Sequence, residues 1–253
     1  MKGFYRSKYT KPDGTIGYIG TTHFEPTGAR LAFPCFDEPS FRSTFQVNLV
    51  NNDKEIETLS CMNVVKNTEE NGKTTVVYAN TPSMPTYLVA FIFGKFDHVE
   101  RFTKNNLPVR VYTPLGQGEH GVLAAEFGAK CVDFYEEFFD IKYPLPKLDM
   151  IGIEDYPLGG MENWGLITYA MRCLIYNPKT DTKMKWQTIL AIVAHEVAHM
   201  WFGNLVTIEW WSDLWLKEGF ATFLQYYCCD KICPEAKIWD VFMTQRYPSK
   251  YIT

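Results

Sequence analysis

Apolar positions follow two rhythms along the chain. In STFQVNLV (43–50) they alternate, placing Phe45, Val47 and Leu49 on one face, while TTVVYA (74–79) and TYLVAFIFGKF (86–96) are rich in β-branched and aromatic residues. Asn51-Asn52-Asp53 and Asn71-Gly72 punctuate these runs. A period of two bounded by such residues predicts strands and turns, so 1–97 reads as a β-rich domain. Beyond GKFDHVE the rhythm changes. VRVYT (109–113) and KLDMIGIED (147–155) read as strands, and EHGVLAAEFGAKCVDFYEEFFD (119–140) as an amphipathic helix opening near Glu119. With the boundary near Asp97, residues 98–253 form a second, mixed domain and the class is α+β. The chain has no internal repeat and no low-complexity tract.

The run WQTILAIVAHEVAHMWF (186–202) contains neither Pro nor Gly, and Thr180, Asp181 and Thr182 just upstream can cap a helix. Two histidines and a glutamate interrupt its apolar character. On a helix His195 and His199 are neighbours on one face, and Glu196 lies about 100° round from His195. Both imidazoles can therefore address one atom. His-Glu-x-x-His on a helix is the pattern in which the histidines hold zinc and the glutamate acts as general base. A catalytic zinc usually takes three protein ligands and keeps a fourth position open. Glu218, in a second helix-like segment opening near Ser212, can supply the third if the two helices form a hairpin. The bland alternative, two core histidines bonded to backbone beside solvated glutamates, must explain this triple in a chain with only five histidines.

HEVAHMWFG, WWSDLWLKEGFATF, GGMENWGLITY and FEPTGARLAFPCFDEPSF resemble, in order, the motifs of the gluzincin aminopeptidases, the family of aminopeptidase N and puromycin-sensitive aminopeptidase. GFYRSKY, MPTYLVAFIFGKFD and VRVYTPLG are most similar to the puromycin-sensitive branch. The resemblance covers essentially the whole chain. It implies a partial β-rich amino-terminal domain followed by a partial thermolysin-like zinc-peptidase domain, so the chain looks like a fragment. It also implies one zinc ion on His195, His199 and Glu218, with Glu196 as base, and substrates that are peptides with a free amino terminus. Glu162, and Glu25 with it, would hold the substrate's ammonium. Glu25 has a loop alternative, pairing with Arg30. Gly159 and Gly160 would leave backbone bare for a substrate strand, Asn163 belongs to the same substrate-binding stretch, and His23 and Met161 would line the pocket for the first side chain. An imidazole there would titrate near neutral pH. The family's oxyanion-stabilising tyrosine lies well beyond Glu218, and none of the tyrosines here takes that place. Three departures stand out: Met200 for glutamine, Met171 for glutamate, and Lys217 for asparagine, where the lysine could compete for Glu218 or alter its surroundings. Pro34 and Pro39 would fix turns, with Asp37 and Glu38 bonded to backbone or arginines.

Composition narrows the partners. At 46% hydrophobic and 21% charged residues the balance is that of an ordinary globular protein. A formal charge of −4 with no Lys/Arg cluster excludes an electrostatic case for nucleic acid or an anionic membrane. The opening MKGFYRSKYTKPDG lacks a signal peptide's apolar core, and Gln187, His195, Glu196 and His199 break the longest apolar stretch, so no segment spans a membrane. Seven cysteines without framework spacing favour reduced thiols and a cytoplasmic setting, with Cys229 and Cys233 as packing residues. Two other readings share part of the pattern. A thermolysin-like endopeptidase would use His195, Glu196, His199 and Glu218 but not Glu162, and a catalytically silent relative would bind zinc or peptide without turnover.

Overall fold

The computed structural model describes residues 1–245. β1 (Gly3–Thr10) and β2 (Ile16–His23) form a hairpin in continuous register, Gly3 opposite His23 and Thr10 opposite Ile16. After the short β3 (Arg42–Ser43) come β4 (Asn48–Asn51), β5 (Glu57–Ser60), β6 (Val64–Glu70), β7 (Lys73–Tyr78), the short β8 (Met84–Pro85) and β9 (Phe91–Gly94). They make a four-stranded sheet β1-β2-β9-β5, a three-stranded sheet β4-β7-β6 and the pair β3-β8. Asn71 and Gly72 join β6 to β7 with φ of 52° and 74°. Two positive φ values are what a tight two-residue hairpin loop demands, and Asn-Gly is the pair that accepts them.

Two of the expected strands are shorter than the sequence suggests. In 43–50 the alternation survives, with Leu49 buried and Phe45 and Val47 half-buried, but regular pairing begins only at Asn48. In 86–96 the first three residues form a 3-10 turn, not a strand. There Leu88 O accepts from Trp164 N at 3.2 Å, and the Tyr87 hydroxyl donates to Gly203 O at 3.1 Å. The chain bends to meet the second part of the molecule.

That part begins at β10 (Phe96–Phe102), antiparallel to β11 (Pro108–Pro114). α1 (Val122–Phe139) crosses to β12 (Leu148–Ile153), parallel to β11; β13 (Gly160–Met161) and β14 (Leu166–Ala170) complete the order β10-β11-β12-β14-β13. Every residue of β12 and β14 is buried, as expected of central strands covered on both faces. β13 is left as an edge. Lys147 ties the two parts together: its buried ammonium donates to Ser60 O at 2.6 Å and Gly165 O at 2.7 Å, and pairs with Asp149 at 2.8 Å.

α2 (Lys183–Ala198) starts from Thr182, the one of three candidate caps whose hydroxyl accepts from Lys185 N, at 3.2 Å. It stops short of Phe202. Past Ala198 the backbone bonds first tighten (Met200 N to Val197 O, Trp201 N to Ala198 O) and then widen (Asn204 N to His199 O, Val206 N to Trp201 O) around Gly203 at φ 133°. A 3-10 turn, Trp211–Asp213, leads into α3 (Leu214–Ile232), which is followed by α4 (Ile238–Gln245). The fully buried Tyr135 of α1 places its hydroxyl 3.0 Å from Ala194 O on α2 and 3.2 Å from Leu224 O on α3. No helix among the described residues is long and apolar enough to cross a membrane. Residues 246–253 of the expected second domain lie outside the described residues.

Candidate functional site

An open cleft of about 410 Å³ lies where α2, α3 and the β13 edge meet. His195, His199 and Glu218 converge in it, their ligand atoms all within 4.8 Å of one another. The two Nε2 atoms are 3.1 Å apart, and Glu218 stands 3.3 Å from His195 Nε2 and 3.6 Å from His199 Nε2. Behind them His195 Nδ1 meets Gln225 Oε1 at 2.8 Å, and His199 Nδ1 meets Phe202 O at 2.8 Å. Both partners are acceptors, so each Nδ1 carries the proton and each Nε2 turns a lone pair inward. Two lone pairs and a carboxylate thus face one point, a donor set that fits a divalent metal with a position to spare. Burial pulls His199 down, but Glu162 and the bond to Glu218 carry it up to about 9. Burial holds His195 below its ordinary value, and the two imidazoles, working against burial, keep Glu218 far below the usual carboxylate range.

Glu196 sits on the neighbouring wall. It is 5% exposed, and its Oε2 has no hydrogen-bond partner among the described residues. A buried oxygen without a partner is costly, and burial raises this carboxyl well above its ordinary range. Its room comes from Gly160: a Cβ there would stand 2.3 Å from Glu196 Oε1. The bare backbone at this position is therefore explained by the carboxylate behind it, and not by a substrate strand alone. Gly159 also lines the cleft, but a Cβ there would meet only Ile192, at 3.5 Å.

Glu25 and Glu162 close one end. Arg30 is not the partner of Glu25; its Nε lies 3.0 Å from Asp37, which also accepts from Arg30 N at 3.1 Å and from Thr86 Oγ1 at 2.6 Å. What meets both glutamates is Lys217, bonded to Glu162 and 2.5 Å from Glu25 Oε1. Glu218 is farther from it, at 3.5 Å; of the two roles expected of this lysine, competing for Glu218 or altering its surroundings, the closer pairs with Glu162 and Glu25 favour the second. Burial and Glu162 push Glu25 up to about 7, while Lys217, ahead of His199, outweighs burial and holds Glu162 below its ordinary value.

His23, Met161 and Asn163 are buried beside the cleft and not among its lining residues. His23 Nδ1 accepts from the Tyr156 hydroxyl at 2.9 Å, and Tyr156 accepts in turn from Thr168, which accepts from Asn163 Nδ2. Burial lowers the His23 pKa. The expectation of a side-chain pocket whose charge His23 changes near neutral pH is thereby corrected: the ring is enclosed and its acceptor nitrogen is engaged. Gln225, Thr222, Ile192 and Leu158 line the cleft without having been anticipated. Gln225 had a signal, since it lies two helical turns after Glu218 and so on the same face.

Residues 123–251 match the peptidase family M1 domain, and residues 1–88 match the peptidase M1 N-terminal domain. Puromycin-sensitive aminopeptidase of Caenorhabditis elegans is 46% identical over 251 residues, 98% of this chain and 26% of that protein. Alanine/arginine aminopeptidase of Saccharomyces cerevisiae is 45% identical, with 96% and 28% covered. Aminopeptidase M1 of Arabidopsis thaliana is 44% identical, with 97% and 28% covered. The chain spans about a quarter of the length of these relatives.

Proposed function

The chain belongs to peptidase family M1, and from that premise we propose that its cleft is a zinc aminopeptidase site, releasing the first residue of a peptide. The observation that carries this reading is the pair of inward Nε2 lone pairs facing Glu218, with, on the neighbouring wall, a Glu196 oxygen that has no partner among the described residues. A set of two imidazoles and one carboxylate suits zinc. When bound, zinc supplies Lewis acidity, polarising a carbonyl and making water more acidic.

The protein's own groups do the rest. Glu196 accepts the proton of the attacking water and returns it to the departing amine. The free edge of β13, two residues long, can take a substrate strand by backbone bonding. Glu162 and Glu25, at the end of the cleft, offer the carboxylates that a substrate ammonium needs in a partly dry place. We place the domain boundary near Asp97, in the opening strand β10 of the five-stranded sheet, and take the seven cysteines, which lack framework spacing, as support for a reducing, cytoplasmic setting.

The test is Glu196→Gln. It should keep one zinc per chain and lower kcat on an aminoacyl fluorogenic substrate by roughly 10²–10⁴, while mass spectrometry of products from a longer peptide shows single residues leaving its amino end. Internal fragments instead would favour the endopeptidase reading, and an unchanged kcat would remove Glu196 as the base.

A further inference from the structure

A cleft that takes an amino end at Glu162 and the first carbonyl at the metal ligands needs a fixed spacing between the two. In an α-amino acid the nitrogen and the carbonyl carbon are only two bonds apart, roughly 2.5 Å. A carboxylate serving that nitrogen must keep its place closely, since a displacement of about 1 Å can cost about 100-fold. Glu162 follows β13 and His199 caps the end of α2. The spacing therefore depends on a contact between distant segments.

Asn204 makes such a contact. Its Nδ2 donates to Glu162 O at 2.8 Å, and its backbone N donates to His199 O at 3.0 Å. Glu162 O can only accept, so the amide nitrogen is the end that faces it. The residue is 0% exposed, and its Oδ1 has no partner among the described residues. Leaving one end of a buried amide unpaired is costly; what the fold obtains from this side chain is its donor. The stretch between is drawn close to the ring it follows. His199 Nδ1 donates to Phe202 O at 2.8 Å, and a Cβ on Gly203 would stand 3.0 Å from that Nδ1. The Tyr87 hydroxyl holds Gly203 O from the other side at 3.1 Å. Asn204 is thus tied at one end to the ligand-bearing end of α2 and at the other to the backbone of Glu162.

We propose that Asn204 is a positioning residue that sets the distance from the Glu162 carboxylate to the metal ligands, and so fits the cleft to amino ends whose nitrogen lies two bonds from the carbonyl they present. Asn204 does not line the cleft, and it acts through the Glu162 backbone. The proposal rests on the reading of Glu162 as the ammonium seat. Without the donor the seat can shift against the metal ligands, so an ammonium loses its contact while a ligand that makes no use of the seat binds as before.

The experiment is calorimetric titration of the zinc-loaded chain with three metal-chelating probes: leucine hydroxamate, its N-acetyl derivative, and the hydroxamate of β-homoleucine, in which one more methylene separates amine and carbonyl. The unsubstituted protein should bind leucine hydroxamate about tenfold or more tighter than either of the others, the worth of a charge-assisted bond. Asn204→Asp, which keeps the shape and loses the donor, and Asn204→Leu should lose most of both preferences while bound zinc and affinity for the acetylated probe are retained. In a Glu162→Gln background the same changes should add nothing, because the two residues act through one contact. Preference for the free amine retained in both Asn204 variants would overturn the proposal and leave the seat standing. Equal weakening of all three probes would overturn it by showing a general loss of structure. No amine preference in the unsubstituted protein would overturn the seat and the proposal together. Should neither variant fold, the unsubstituted protein decides: about tenfold preference for the α-amino probe over the β-amino one supports a fixed spacing, and equal binding of the two refutes it.

Discussion

Replacing Gly160 with alanine tests whether the glutamate wall is packed as described. The added Cβ would lie 2.3 Å from Glu196 Oε1, 2.6 Å from Cδ and 2.8 Å from Cγ. Backbone conformation contributes nothing to the cost, because Gly160 is a paired strand residue opposite Tyr169 and its φ is not positive. Ordinary contact needs about 1 Å more separation. Glu196 cannot supply it freely, since α2 fixes its backbone and the side chain is buried. Overpacking of this kind costs about 1–3 kcal/mol. Urea denaturation of the unsubstituted protein, Gly160→Ala, Glu196→Ala and the double variant closes a cycle that isolates the contact. Gly160→Ala should cost about 1–3 kcal/mol alone and within about 0.5 kcal/mol of nothing when Glu196→Ala has removed the opposing atoms. An equal cost in both backgrounds would refute the packing argument. In active protein the same substitution should lower kcat about 100-fold with zinc retained, the usual penalty for displacing a reacting group by about 1 Å.

The metal reading makes further demands. His199→Ala should abolish stoichiometric zinc, and Gln225→Ala should weaken it by roughly 10–100-fold by freeing the His195 ring; competition with a chromogenic chelator measures both, and full affinity without Gln225 would dismiss its orienting part. With His199 raised to about 9 when no metal is bound, zinc must expel a proton at neutral pH, so its affinity should rise about tenfold per pH unit between about pH 6.5 and 8, and a flat profile would contradict this. The sign for stability is opposite: a raised folded pKa stabilises fully below the ordinary 6.5 and is lost as pH passes about 9, so chelated protein should weaken to urea from pH 7 to 9. Growing stability over that range would exclude His199 as the dominant group.

His195 and His199 were legible because a helix repeats every 3.6 residues and the motif depends on that period alone. Glu218 was legible by its place in WLKEGF, and the Asn71-Gly72 turn by local backbone chemistry. What the sequence hid are contacts between distant segments. Lys217 could be seen as a departure, but its partners come from the end of β2 and the strand pair β13-β14, and nothing local says that these meet α3. The 86–96 run misled because Tyr87 and Leu88 have a strand's composition and are instead spent on contacts to Gly203 and Trp164. His23 misled for the same reason: Tyr156, far along the chain, encloses it. Gly160 showed that bare backbone was needed, though not that Glu196 was what needed it.

Tyr135 sits behind all this, and its hydroxyl never meets the cleft. The carbonyls it reaches belong to Ala194 and Leu224, the residues immediately before His195 and Gln225. One phenol thus sets, from the rear, the gap between a ligand and the amide that aims it. These bonds, which involve no ion, offset part of the configurational entropy of bringing α2 and α3 to that spacing. An ion bound between helices braced in this way adds to stability by mass action, in proportion to the logarithm of its concentration over its dissociation constant. Small zinc modules, by contrast, have no folded state to prepare until metal comes. The helix pair here has a brace of its own in the Tyr135 bonds, apart from any ligand it holds.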